Sequence, residues 1–201
     1  MNRFLLLFLL GLVFEMISGC SKDSDLNDSI WLPDPKDPEL PQYSEWGYNT
    51  FGAFVDRVPF TSDRYNGETP IKVIRTNQQI SFRFLGNTDS NNLPFNSIIL
   101  TMEQGGIVDL FDLIVLNDSL VDLLDPRISV GVEDYSGFYP IEVIKGEFNF
   151  KRTQKLIIDE EPIEVILSGV FAFQALINGN PVTISEGRFD FGVNEYNFFS
   201  Y

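Results

Sequence analysis

The sequence predicts an all-β fold, an antiparallel β-sandwich or open barrel with meander topology. Apolar and polar residues alternate with period 2 in several segments, which is typical of half-buried strands. Clusters of Gly, Asn, Asp and Pro separate these segments and predict turns. The motif Gly-x-Phe-x-Phe occurs at 146–150, 169–173 and 187–191. Three such strands in succession predict neighbouring strands with their aromatic rings on one face.

The first half of the chain predicts short strands joined by tight turns. Residues 49–60 predict a strand, a turn at Asp56-Arg57 and a second strand, and a further short strand is expected at 71–74. Alternation at 80–84 and again at 98–102, on either side of a turn-rich stretch, predicts a β-hairpin.

Residues 107–124 allow two interpretations. The spacing of their apolar residues fits one short helix near 107–116, whereas a pair of strands is the alternative. A turn at Asp125-Pro126 follows, and then a strand at 128–133.

The last third predicts strands at 144–151, 156–158, 164–173 and 182–193. The apolar phase of the last of these strands shifts, because Val182 and Ile184 are even-numbered while Phe189 and Phe191 are odd-numbered. One face cannot bury both sets without an extra residue, so a β-bulge is expected at Glu186-Gly187. Residues 196–201 predict a final strand or a docked tail.

The amino-terminal segment is predicted to be a targeting signal and not a part of the folded domain. Arg3 precedes an apolar run at 4–14 that is too short to span a membrane, and the chain's one cysteine, Cys20, follows small residues. Ile17-Ser18-Gly19-Cys20 resembles the lipobox of a bacterial lipoprotein signal peptide. The resemblance implies cleavage after residue 19 and acylation of Cys20 with chains such as palmitate, which would anchor the protein to a membrane. An ordinary secretory signal with an incidental cysteine is the alternative.

The predicted organisation is a signal peptide at 1–19, an acidic, proline-rich tether at 20–45 and a single all-β domain at 46–201. Proline at this density favours an extended spacer. The acidic stretch at 22–25 partly resembles the surface-export signal of some Bacteroidota lipoproteins. We therefore expect an outer-membrane lipoprotein of the cell envelope, with surface and periplasmic display both open.

Composition excludes several classes of function. A formal net charge of −15 makes nucleic acid and anionic membrane surfaces unfavourable partners. The absence of histidine removes Ser-His-Asp and Cys-His catalysis and zinc sites built on imidazole. We predict no cofactor, no metal and no catalytic residue, so Cys20 is the one site that the sequence predicts.

Four groups of residues are candidates for further sites, and each of them also has a structural interpretation. Glu186, Arg188 and Asp190 share a strand face and suggest either a charged binding or acid/base site or an ion-pair ladder. A second group suggests either the start of a calcium loop or a hairpin turn, and consists of Asp89, Asn91 and Asn92. A third group suggests either a cation site or a solvated face, and consists of Asp109, Asp112, Asp118, Asp122 and Asp125. The fourth group suggests either aromatic rings that stack on sugars or side chains that pack onto the core, and consists of Trp31, Tyr43, Trp46 and Tyr48.

Three segments resemble a family of uncharacterised Bacteroidota lipoproteins. These segments are 49–55 (Asn-Thr-Phe-Gly-Ala-Phe-Val), 169–173 (Gly-Val-Phe-Ala-Phe) and 182–191 (Val-Thr-Ile-Ser-Glu-Gly-Arg-Phe-Asp-Phe). The family has no established activity, so the resemblance transfers no functional residues. We expect a membrane-anchored, non-enzymatic binding or structural module for a glycan, peptide or protein. A carboxylate-based hydrolase of glycans and a lipocalin-like carrier are the alternatives.

Overall fold

The computed structural model describes residues 28–62, 70–88, 93–103 and 105–201. The predicted signal peptide, Cys20 and the candidate calcium loop at Asp89, Asn91 and Asn92 lie outside these ranges. The described chain forms two six-stranded sheets that pack on one another as an open, mostly antiparallel sandwich. The predicted all-β sandwich is confirmed, and the sheets do not close into a barrel.

Sheet 1 has the order β2-β1-β11-β10-β9-β6, and sheet 2 has the order β12-β3-β4-β5-β7-β8. The strands are β1 (Thr50–Val55), β2 (Val58–Thr61), β3 (Ile71–Arg75), β4 (Gln79–Leu85), β5 (Ser97–Glu103), β6 (Ser119–Asp122), β7 (Ser129–Asp134), β8 (Gly137–Pro140), β9 (Glu142–Ile158), β10 (Glu161–Ile177), β11 (Asn180–Val193) and β12 (Phe198–Ser200).

The predicted meander is formed by β9, β10 and β11, which carry the three Gly-x-Phe-x-Phe motifs side by side. Each motif glycine lies where a side chain would collide with a phenylalanine of a neighbouring strand. The pairs are Gly146 with Phe173, Gly169 with Phe189 and Gly187 with Phe171. The motif therefore encodes packing, because Gly169 and Gly187 make room for rings on the adjacent strand and Gly146 makes room for the Cβ and backbone of Phe173.

Phenylalanine rings fill the space between the sheets. The rings of Phe148 and Phe171 stack within sheet 1 with centroids 4.5 Å apart. Phe84 of sheet 2 reaches across to Phe189, at 5.2 Å between centroids. These rings are almost fully buried, so aromatic side chains form much of the core between the two sheets.

The predicted bulge at Glu186-Gly187 is confirmed. The register of β10 with β11 shifts between Phe171 and Phe173, and Glu186 adopts a left-handed backbone with φ 51°. The turn at Asp56-Arg57 is confirmed as well. Asp56 has φ 47° and Arg57 has φ 73°, and a type I′ hairpin turn requires positive φ at both of these central positions.

The ambiguous segment contains a helix and then a strand. A 3-10 helix spans Leu110–Leu116, and Asp109 and Asp112 form a capping box at its start. The predicted short helix is thus confirmed, although β6 follows it as the edge of sheet 1. The expected final strand is β12, which pairs parallel with β3. Strand β8 was not predicted.

Residues 28–48 form a strap across the outer face of sheet 1. Residues 20–45 are predicted to be an acidic, proline-rich tether. In the described part of this segment, the side chain of Leu40 is fully buried. Pro33 and Pro41 form a β-bridge within the strap. Pro41 packs over Gly52, where a Cβ atom would lie 2.5 Å from its Cδ. The strap can pack against β1 here because Gly52 has no side chain.

Candidate functional site

Asp190 fixes the strap to sheet 1. Its side chain points out of β11 and is 1% exposed. The carboxylate accepts hydrogen bonds from the Ser44 hydroxyl and from the backbone N–H groups of Trp46, Gly47 and Tyr48, the last two at 2.8 and 3.1 Å. Four donors occupy the acceptor sites of this carboxylate, so Asp190 acts as a structural anchor for the strap.

Arg188, two residues before Asp190 on β11, also binds the strap. Its guanidinium lies 2.7 Å from Asp34 of the strap and 3.3 Å from Glu186. A backbone hydrogen bond from Lys36, with the guanidinium adding to it, holds the pKa of Asp34 below its usual value. Glu186, Arg188 and Asp190 therefore do not converge on a substrate site.

Glu164 is a buried carboxylate that the sequence did not single out. It is 3% exposed at the start of an apolar run on β10, and its Oε2 atom has no hydrogen-bond partner. Burial raises its pKa, and the neighbouring Asp190 carboxylate acts in the same direction. A side-chain hydrogen bond with Asn194 partly opposes this rise. Glu164 lies under the strap, next to Gly47.

The acidic run at 109–125 is used in local turns and caps. Asp109 and Asp112 cap the 3-10 helix, Asp122 accepts from the backbone N–H of Leu124, and Asp125 pairs with Arg127 at 2.6 Å. Hydrogen bonds from Arg127 lower the pKa of Asp125 to about 2. Asp118 occupies a turn with φ 55°. In the described ranges, no group of three or more acidic side chains is placed to hold a metal ion.

The four aromatic residues near the strap do not share one environment. Trp46 is 73% exposed, whereas Trp31, Tyr43 and Tyr48 are half-buried. The hydroxyl of Tyr43 donates to Glu45 at 3.0 Å. Burial raises the pKa of Tyr43 to about 12. Trp46 is the member of this group that solvent reaches most freely.

A shallow groove beside the strap contains two carboxylates. Glu147 on β9 and Glu186 on β11 line it, together with Tyr43 and Arg188. Both glutamates are exposed, and the Glu186 side chain already pairs with Arg188. A glycosidase needs one acid kept protonated by a desolvating environment, and neither carboxylate has such an environment.

The outer face of sheet 2 carries a second open groove with polar side chains. A shallow groove of about 430 Å³ crosses it, hereafter the open face. Its lining residues come from β3, β4, β5, β7 and β8: Ile74, Gln79, Ser81, Arg83, Ile99, Thr101, Ser129, Glu133 and Phe138.

Strand register explains why these side chains share one face. Ser81 pairs with Thr101, which pairs in turn with Ser129, so three hydroxyls form a row across β4, β5 and β7. Glu133 pairs with Phe138 in the same way at the β7–β8 edge. Partners in register point to the same side of a sheet, and the alternate residues point into the Phe-rich core.

Comparison with family models, with curated proteins and with solved structures finds no match to this chain. Within the described residues, no helix is both long enough and apolar enough to cross a membrane.

Proposed function

We propose that the protein is a lipid-anchored, non-enzymatic binding module of the cell envelope. Acyl chains on Cys20 hold it in the outer membrane, and the open face of sheet 2 engages its partner. The lipobox-like sequence at 17–20 supports the anchor. The geometry of the two outer faces supports the binding role.

The contrast between these faces is the observation that carries the proposal. On sheet 1, the strap covers the central polar groups and consumes their hydrogen bonds, as at Asp190 and Arg188. On sheet 2, no described segment crosses the groove, and its polar side chains stay accessible. Polar side chains that converge on an accessible groove are typical of binding surfaces.

The two alternatives have less support. A lipocalin-like carrier requires a closed barrel with a hollow interior, whereas this sandwich is open and its core is filled by rings such as Phe84 and Phe148. A hydrolase that used the carboxylates of the groove beside the strap would depend on Glu147 and Glu186, which are both exposed to solvent.

Labelled palmitate tests the anchor. In cells that produce the protein, we expect label to enter the wild type and to be absent from Cys20→Ser, which should move from the membrane to the soluble fraction. Equal behaviour of the two proteins would contradict the anchor. Protease shaving of intact cells would then distinguish surface from periplasmic display.

Site-specific photocrosslinking tests the binding role. A photoreactive residue at Thr101, in the centre of the open face, should give a discrete adduct in intact cells. The matched control is Val170, which is also half-buried and lies in the sheet 1 groove. Absence of an adduct at Thr101, or equal adducts at both positions, would contradict binding through the open face.

A further inference from the structure

We propose that the open face binds an uncharged polysaccharide chain, with the ring of Phe138 as the surface on which a sugar stacks. This inference rests on the binding role proposed above and specifies its ligand class.

The charge of the open face favours a neutral ligand. Nε of Arg83 lies 2.8 Å from the Glu133 carboxylate, so the two charges in the groove compensate each other. The whole chain has a formal net charge of −15, which opposes the approach of an anionic polymer. A strongly basic ligand would in turn compete with Arg83 for its carboxylate partner.

The hydrogen-bonding groups suit sugar hydroxyls. Ser81 and Thr101 contact each other at 2.8 Å, and either hydroxyl can be the donor. Gln79 and Ser129 add an exposed amide and an exposed hydroxyl to the same groove. Hydroxyl and amide groups both donate and accept, as the hydroxyls of a sugar do, so they can match its pattern without a charge.

Phe138 supplies the apolar element that sugar rings need. It lies on the edge strand β8 and is 49% exposed. Its ring extends over Gly131 of β7, where a Cβ atom would lie 2.5 Å from Cζ of the ring. Gly131 therefore lets the ring lie across the sheet with its other side open to solvent. An aromatic side chain held in this way provides contact area at low entropic cost.

The groove is long enough for several sugar units. It runs from Ile74 on β3 across β4, β5 and β7 to Phe138 on β8. Neighbouring strands are about 4.8 Å apart, so these four spacings cover about 19 Å. A shallow groove of this length, crossing the strands, fits a chain-like ligand better than a single sugar.

The test is isothermal titration of the purified protein with neutral hexasaccharides: cellohexaose, maltohexaose, laminarihexaose and mannohexaose. Hexagalacturonate is the anionic comparator. We expect at least one neutral probe to bind and hexagalacturonate to bind more weakly. Absence of binding by every neutral probe, or stronger binding of hexagalacturonate, would overturn the proposal.

Three variants locate the site. Phe138→Ala should weaken binding about tenfold, because the stacking surface is lost. Gly131→Ala keeps Phe138 but displaces its ring, and it should weaken binding similarly. Gln79→Ala alters an exposed side chain without cost to the fold and should weaken binding a few-fold.

Tyr139→Ala is the matched control. Tyr139 is the next residue on β8, is 43% exposed and points to the other side of the strand. The Tyr139→Ala protein should bind the neutral hexasaccharide with the affinity of the wild type. Thermal unfolding should show that each variant is folded. Wild-type affinity in Phe138→Ala and Gln79→Ala, or an equal loss in Tyr139→Ala, would refute the assignment of the site.

Failure here is distinguishable from failure of the proposed function. A photoadduct at Thr101 that proteases digest and glycosidases leave intact keeps the binding module and refutes the sugar ligand. A missing adduct refutes the binding role itself.

Discussion

Two buried carboxylates on the outer side of sheet 1 show how neighbouring residues of one type take opposite roles. Asp190 receives a hydroxyl and three backbone N–H groups from the strap, which stabilise its charge. Glu164 is almost as deeply buried, yet one of its oxygens has no donor. The first carboxylate holds the strap in place, while the second is a source of instability when it is ionised.

The raised pKa of Glu164 gives a pH-dependent prediction. Because its folded-state pKa lies above that of the unfolded chain, protonation favours folding. The stability that Glu164 provides is complete below the unfolded pKa of about 4.3 and is lost as the pH rises through the folded pKa. Glu164→Gln should therefore raise the free energy of unfolding by about 1 kcal/mol at neutral pH. That gain should shrink toward zero at about pH 4, where the wild-type carboxyl is protonated.

Urea denaturation at the two pH values measures this effect. Glu161→Gln, at the exposed start of the same strand, is the control and should change stability by less than about 0.5 kcal/mol. A loss of stability in Glu164→Gln at neutral pH would show that the ionised carboxylate has a stabilising partner.

At the scale of the element, the Gly-x-Phe-x-Phe strands join sequence pattern directly to packing. The motif could be recognised from sequence, and its repetition correctly predicted that β9, β10 and β11 are neighbours. The reason for its glycines could not be predicted. It depends on which ring of the adjacent strand comes opposite, as Phe189 does to Gly169, and register sets that.

Gly169→Ala should lower the free energy of unfolding by about 2 kcal/mol, within the usual cost of overpacking a core. A Cβ atom there would lie 2.6 Å from Cζ of Phe189, and it would also meet the backbone carbonyl of Asn149. Val170→Ala, which trims a half-buried outward side chain on the same strand, should cost clearly less. The free energy of unfolding is measured by chemical denaturation. Equal losses of stability in the two variants would argue against the inference that Gly169 makes room for the Phe189 ring.

The strap is the element that sequence patterns described least well. Its prolines and acids have the composition of a solvated linker, and that composition led to the expected tether at 20–45. Its docking depends on partners more than a hundred residues away, such as Arg188 for Asp34, and on the bare backbone at Gly52. Composition does not record such long-range pairings. Glu164 was missed for the same reason, since the strap contributes to its burial.

Leu40→Ala should cost about 3 kcal/mol, because a fully buried leucine leaves a cavity under the strap. Leu32→Ala is the matched control from the same strap. Leu32 is 45% exposed, so its truncation should cost less than about 0.5 kcal/mol. Limited proteolysis should cut the strap of Leu40→Ala faster than that of the wild type, and equal cutting rates would show that Leu40 does not hold the strap down.

At the scale of the whole molecule, the excess of acidic residues gives the protein a large negative net charge. The formal net charge is −15, and the segment 1–19 contributes nothing to it because Arg3 and Glu15 cancel. Like charges spread over one domain repel one another and destabilise the compact state.

Salt should therefore stabilise the protein. Raising NaCl from about 10 mM to about 200 mM shortens the screening length from about 30 Å to below about 10 Å, and the midpoint of thermal unfolding should rise by a few degrees. KCl at the same concentrations is the control for a specific ion effect and should give the same rise. A midpoint that falls with salt would show that attractive ion pairs dominate.

The docked strap also determines how the molecule is presented. The described chain begins at Asp28 on the outer side of sheet 1, where the Asp28 carbonyl accepts from Asn49 and the backbone N–H of Ile30 donates to Tyr48. Eight residue steps separate Asp28 from Cys20, a reach of at most about 29 Å. With the anchor that we propose at Cys20, Asp28 stays within about 29 Å of the bilayer. The groove beside Phe138 belongs to the other sheet, so the strap leaves it open while it connects the domain to the anchor.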